Sequence, residues 1–418
     1  MKKTSTLKKT GGDTTNLLKM DSRGDRQNKI IGYLNSIPHP MAVAAYIKAL
    51  RSNPNNLGLQ IKTQNVSGFK GSNMAEKKVI TELIVFFGGD KNIWGYISPG
   101  GTESNIVALW ATRNFYKSSK IAVIGSFLTH YSIIKAINIL GIVNDGYSGF
   151  HELGTDEEGR ILTRELEQKL DKIINKVDGI VIVANVGTTM IGGVDEVSKI
   201  NTIVNKYRKN KKKSKIHIHV DAAFGGLVAP FVFEKHLGFK NSNVFSLTVD
   251  MHKMGLVPFG SGIILMKKQL FKKIGTRAGY ISWKEQTLCG SRPGAAAHSC
   301  LVMLEKFCFS GYKKNAIRVC EMTEYVKKQL AELHIEFYHG GLNIISIRDK
   351  KLKLWNALTK DGYRMHYQKK FPNSLRKPKE KLNDSIWNIV IMPSMSNKFI
   401  DQFISKIRQY AKTEKRIN

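Results

Sequence analysis

A chain of 418 residues is too long for one small module, and at about 100–200 residues per domain it has room for two or three units around a large core. Hydrophobic residues at 42% and charged residues at 24% exclude wholesale disorder, a collagen-like repeat and a disulfide mini-protein. Lys and Arg number 66 against 33 Asp and Glu, a net charge of +33. The bases are scattered through every segment rather than gathered into one arm, so compositional bias accounts for them better than a specific nucleic-acid surface does.

In chain order, the first thirty or so residues are polar, rich in Lys, Thr, Asp and Gly, and without sustained periodicity; they read as a leader or as an arm onto a partner subunit. They lack the apolar core of a signal peptide, and no stretch approaches the roughly 18–20 apolar residues of a membrane span. A cytoplasmic protein that does not engage a membrane is the expectation. Regular structure should begin near Ile30. From about Asn65 to Leu265, short apolar runs (IAVIG, GIVIVAN, IHIHVD, VFSLTVD, GIILM) alternate with amphipathic stretches such as LTRELEQKLDKIINKV. Such runs, bounded by Gly, Asp or Asn, are what strands buried on both faces look like, and the alternation predicts an α/β fold with a mostly parallel central sheet flanked by helices. The basic run from Arg208 to Lys215 has no interleaved aromatic residues and reads as a solvated loop or helix end. After Arg292 the pattern changes to a long helix and then a mixed region. The division expected is an N-terminal segment 1–60, a large domain 61–295 and a smaller C-terminal α+β domain 296–418. Cys289, Cys300, Cys308 and Cys320 lack CxxC spacing and paired histidines, so neither a zinc site nor a disulfide framework is indicated.

Candidate functional residues fall at the strand ends, where open α/β sheets bind ligands. Lys253 stands between two apolar runs. A desolvated ammonium loses pKa and becomes a nucleophile or Schiff-base partner, although a paired or snorkelling lysine is the plainer alternative. Asp221 ends the IHIHVD strand before Ala-Ala and Gly-Gly, leaving room for a flat ligand, or else it caps the next turn. Gly100, Gly101, Thr102, Glu103 and Ser104 open an amphipathic stretch, where free N–H groups and the positive end of a helix dipole suit a phosphate; a plain capped helix looks the same. His130 follows the IAVIG strand, and Thr188 and Thr189 follow GIVIVAN.

Together, in order, GGTESN, THYS, NVGTT, HVDAAFGG, DMHKMG and GSRPG resemble the group II pyridoxal-phosphate-dependent amino-acid decarboxylases. The resemblance runs from about Ile37 to the C-terminus. WGYISPGGTESN and THYSIIKA look closest to the bacterial histidine and plant serine decarboxylase branch, and IPHPMAVAAY and DMHKMG look equally like the archaeal tyrosine/aspartate decarboxylases. This implies the fold-type-I, aminotransferase-like architecture, with domain 61–295 holding pyridoxal 5'-phosphate. It further implies that Lys253 carries the cofactor as a Schiff base, that Asp221 pairs with the ring nitrogen and that His130 stacks on the ring. Thr102, Glu103, Ser104 and His252 would surround the phosphate, Ala223 would pack beneath the ring, and Thr189, less securely Thr188, would face the phenolic oxygen. Tyr280 is the candidate donor of the proton returned to Cα; His39 and Arg292 would line the substrate channel or brace a dimer loop. The implied partners are an amino-acid substrate, histidine first, then tyrosine, serine or aspartate, and a second copy of the chain. Two departures stand out. Asp250 lies beside the phosphate region where several relatives carry Ser or Asn, and must be screened or turned away. SRPG also resembles the sphingosine-phosphate lyases, so retro-aldol cleavage of a phosphorylated amino alcohol is the alternative reaction.

Overall fold

The computed structural model describes residues 29–32, 37–59, 69–210, 216–233, 236–277, 279–280, 284–376, 378 and 384–414. Its centre is a seven-stranded sheet in the spatial order Ile93–Ser98, Gly262–Lys267, Val244–Asp250, Ile216–Asp221, Gly179–Asn185, Ile121–Ser126, Gly149–Leu153. Gly262–Lys267 alone among these strands runs against its neighbours.

The apolar runs become strands because both faces of the sheet are covered. Along Gly179–Asn185, Ile180, Ile182 and Ala184 join the core on one face, while Val181 and Val183 join a separate cluster on the other. Helices Lys70–Phe86, Thr163–Ile173, Val197–Asn210 and Gly294–Glu332 contribute to the first core. Helices Gly101–Tyr116 and Tyr131–Ile139 cover the second face.

A bulge adjusts this pattern where it matters. Ile218 pairs with Val244 but His219 pairs with Ser246, so Phe245 is an extra residue. Beyond it Ser246 and Thr248 stand in register with His219 and Asp221, beneath the Gly101–Tyr116 helix.

The C-terminal part forms a four-stranded antiparallel sheet, ordered Phe337–Tyr338, Ile344–Arg348, Asp384–Val390, Tyr367–Phe371. The expected long helix spans Gly294–Glu332 with a break at Cys308, whose φ of 48° and ψ of −178° are not helical. The first strand among the described residues is Lys29–Gly32, which pairs in parallel with Tyr363–Met365 and so ties the N-terminal segment to the C-terminal part. Residues 1–28, on which the leader or arm was expected, lie outside the described residues. Of the basic run, Arg208 lies in the last turn of the Val197–Asn210 helix, donates to the Ile216 carbonyl at 2.8 Å and holds its guanidinium 5.7 Å from the Phe245 ring, whereas 211–215 lie outside the described residues. All four cysteines are unpaired. Among the described residues no helix is long and apolar enough to cross a membrane, and no cluster of three or more His, Cys, Asp or Glu could hold a metal ion.

Candidate active site

The ends of the parallel strands and the start of the Gly101–Tyr116 helix enclose a cavity of about 690 Å³. Asn185, Asp221 and Asp250 each close a strand and line it, and Asn185 and Asp221 are register partners. His130, Thr102, Glu103, Thr188, Thr189, Ala223, His252 and Lys253 line it too, so residues far apart in the sequence converge as expected.

Asp221 is buried, and both its oxygens are held: Oδ2 accepts from the Asn105 side-chain amide at 2.8 Å, and Oδ1 from the Ala223 backbone N–H at 3.2 Å. His130 caps the Tyr131–Ile139 helix, its Nδ1 2.8 Å from Ser132 Oγ. Burial lowers the pKa of His130, against the pull of Asp221, and leaves it neutral near pH 7. Lys253 Nζ lies 3.1 Å from Asp250 Oδ2, and His252 Nε2 lies 3.6 Å from the same oxygen. The acid beside the phosphate region is therefore screened by His252 and Lys253, two and three residues further along the chain. Gly187, at φ 95°, turns the chain so that Thr188 and Thr189 reach the cavity, and a Cβ there would come within 2.9 Å of the Gly225 nitrogen. Thr188 Oγ1 accepts from the Gly193 N–H at 2.8 Å, a bond within its own loop.

Several expected roles change. Ser104 is fully buried and does not line the cavity; its hydroxyl lies 2.7 Å from Ser98 Oγ, so it braces the turn from beneath. Glu103 reaches the cavity edge, but its carboxylate accepts from Tyr96 Oη at 3.0 Å and from Cys289 Sγ at 3.0 Å and so is turned away from any anion at the helix start. Burial, with Glu103 second, pushes the Cys289 thiol up to about 11. Arg292 is not a cavity residue: it is buried against the Glu76 carboxylate and donates to the Gly58 and Ile97 carbonyls, a structural bond network set apart from any substrate carboxylate. His39 is also outside the cavity; its ring caps the Pro40–Leu50 helix by accepting from the Met41 N–H at 3.2 Å. Tyr280 is 91% exposed and does not line this cavity.

Sequence reasoning passed over Asn105, which sits within GGTESN without an evident role, and the apolar walls Ile106, Leu128, Phe224, Phe259 and Leu288. The signal for Asn105 was its helical spacing, one turn beyond Gly101.

The arrangement fits pyridoxal 5'-phosphate. A Cβ added to Gly101 would lie 2.9 Å from Asp250 Oδ2 and 3.1 Å from the Ala223 Cβ, so any larger residue would press on two side chains that line the cavity. An amine, a fixed buried carboxylate and a neutral imidazole face the same volume.

A model of the pyridoxal-dependent decarboxylase conserved domain matches residues 80–339. A tryptophan decarboxylase of Clostridium sporogenes is 32% identical over 73% of this chain and 74% of its own length. An L-aspartate decarboxylase of Thermococcus kodakarensis is 30% identical over 92% of each chain. Among solved structures, the L-methionine decarboxylase of Streptomyces sp.590 superposes with a TM-score of 0.80 over 96% of each chain, at 18% identity, which speaks to the fold. The cavity and these similarities agree, and the chain belongs to the pyridoxal-dependent decarboxylase family, as a fold-type-I pyridoxal-phosphate enzyme acting on amino acids.

Proposed function

We propose that the enzyme decarboxylates an L-amino acid with an aromatic side chain, releasing the primary amine and carbon dioxide. The observation that carries this choice is the cavity lining. Among the described lining residues the only basic side chains are Lys253 and the two histidines His130 and His252, all needed at the cofactor, while Ile106, Leu128, Phe224, Phe259 and Leu288 form apolar walls. An aspartate side chain, or the phosphate of an amino-alcohol substrate in a retro-aldol reaction, would lose hydration there without a counter-charge. Of the substrates expected from sequence, tyrosine suits these walls better than aspartate, serine or histidine.

Pyridoxal phosphate, when bound, supplies an electron sink for the pair left on Cα as carbon dioxide departs. Lys253 would hold the cofactor through its amine. Asp221 would pair with the ring nitrogen, and neutral His130 would cover a ring face. The N–H groups of Thr102 and Glu103 at the helix start, with His252, would hold the phosphate, Ala223 would lie beneath the ring and Thr189 would serve the phenolic oxygen. With the mouth covered by a second copy of the chain, the apolar walls would exclude water and hold the substrate with its carboxylate perpendicular to the ring, the geometry that selects decarboxylation. The proposed proton donor is Tyr280, whose exposure puts it outside its own cavity, so that role requires a second copy of the chain. A homodimer, working in the reducing cytoplasm where unpaired cysteines persist, is part of the proposal.

The test is to supply purified protein with pyridoxal phosphate and to offer tyrosine, tryptophan, histidine, serine and aspartate separately. The aromatic amine should dominate; release of β-alanine alone would overturn the choice. Lys253→Ala should lose covalent cofactor and nearly all turnover while staying folded, and wild-type turnover in that variant would remove Lys253 from the mechanism.

A further inference from the structure

Asn105 is buried, and every hydrogen-bonding position of its side chain is used. Its amide nitrogen donates to Asp221 Oδ2 at 2.8 Å and to Ser132 Oγ at 2.9 Å. Its amide oxygen accepts from Thr248 Oγ at 2.9 Å and faces His219 Nε2 at 2.9 Å. An amide has two N–H donors and two lone pairs, so nothing is left over.

These contacts fix where the protons lie. An ionised carboxylate only accepts, so the N–H groups of Asn105 must face Asp221, and the oxygen must face Thr248 and His219. His219 then carries its proton on Nε2, and its Nδ1, 2.8 Å from Ser246 Oγ, accepts from that hydroxyl. Burial keeps His219 neutral, with a pKa lowered to about 4. On the other side Ser132 Oγ accepts from Asn105 and is free to donate to His130 Nδ1 at 2.8 Å, which also receives the Ser132 N–H at 3.3 Å. His130 therefore holds its proton on Nε2. Asn105 itself rides on the helix whose first turn opens the phosphate end of the cavity.

We propose that Asn105 is a positioning residue for the cofactor ring: one buried amide holds the Asp221 carboxylate in a fixed orientation and, through Ser132, sets the tautomer of His130. The proposal rests on Lys253, Asp221 and His130 serving the cofactor as described above. It differs from a packing role because the near-isosteric Asn105→Asp fills the same space yet puts a second carboxylate 2.8 Å from Asp221, where two like charges share one proton. Asp221 then no longer guards the charge of the ring nitrogen.

The experiment compares wild-type holoenzyme with Asn105→Asp and Asn105→Ser, the latter small enough to admit a water should the former fold poorly. Three quantities are read: the pH midpoint of the cofactor's visible absorption band, the dissociation constant of pyridoxal phosphate, and kcat against KM. For Asn105→Asp the band midpoint should move by at least about one pH unit, with kcat falling about 10²-fold and KM nearly unchanged. Asn105→Ser should loosen the cofactor and shift the band in part. A folded variant of either kind with wild-type band, midpoint and kcat, altered only in thermal stability, would overturn the proposal and leave Asn105 a packing residue. If wild-type protein shows no cofactor band at all, the assignment of the site fails first, which separates the two failures.

Discussion

His219 shows how one buried side chain ties the site to the acid stability of the fold. Burial lowers its folded pKa to about 4, from an ordinary value of 6.5, with Asp221 pulling the other way. Between about pH 6.5 and 4 the unfolded chain takes up a proton that the folded chain refuses, so this contribution to stability is full above pH 6.5 and drains away as the pH falls through that window. His217, His130 and His252 are lowered by burial as well and act in the same direction. Asp195, pushed up to about 7 by burial, acts oppositely and loses stability as the pH rises toward 7. A difference measurement isolates the one group: denaturant unfolding of wild type and His219→Gln, repeated from pH 7.5 down to 4.5, should show the wild type losing ground to the variant below pH 6.5. A constant gap across that range would mean that His219 does not titrate as its burial dictates.

The segment around Arg292 shows the same physics one level up, where a motif residue anchors elements rather than chemistry. Its guanidinium joins the Glu76 carboxylate on the Lys70–Phe86 helix to the Ile97 carbonyl on an edge strand and the Gly58 carbonyl, with the Tyr96 ring 4.9 Å below. Removing one member of a buried pair strands the other, so Arg292→Met should destabilise the chain by about 3–5 kcal/mol, and the double variant with Glu76→Leu should recover part of that. Substrate KM in the folded fraction should hold; a selective rise in KM at unchanged stability would return Arg292 to the substrate. The sequence could show that Arg292 mattered, because it sits in GSRPG, but not to what, because Glu76 is 216 positions away. The same limit runs through the fold. Apolar runs, helix starts and the strand-end positions of Asp221, Asp250 and Asn185 were legible because they follow from local period and composition. The reversed strand Gly262–Lys267, the bulge at Phe245 and the pairing of Lys29–Gly32 with Tyr363–Met365 were not, since each is decided by a partner strand distant in the chain. Ser104 and Glu103 show a related limit: helix position says which turn a residue occupies, and only Ser98, Tyr96 and Cys289 decide where its side chain goes.

The net charge of +33 and the apolar rim of the cavity make opposing demands on the whole molecule. Tyr131, Phe259 and Leu288 all line the cavity yet remain exposed, Phe259 by 69%. Large apolar side chains gathered at a functional mouth are covered in most soluble proteins, and a second copy of the chain is the cover we propose. Two such copies repel each other strongly in dilute salt, where the Debye length is about 30 Å at 0.01 M, and far less at 0.1 M, where it is about 10 Å. Dimerisation through apolar contact should therefore tighten as salt rises. Binding to an anionic polymer should do the reverse, because each neutralised phosphate releases counterions. Sedimentation equilibrium across about 0.01–0.3 M NaCl, run beside DNA binding in the same buffers, separates the two: the dimer dissociation constant should fall while nonspecific DNA affinity collapses. Phe259→Asp should weaken the dimer at every salt concentration and reduce turnover at low protein concentration more than at high, since Tyr280 is proposed to act across the interface. A monomer fully active at high dilution would confine the site to one chain and leave the Cα proton to a donor other than Tyr280.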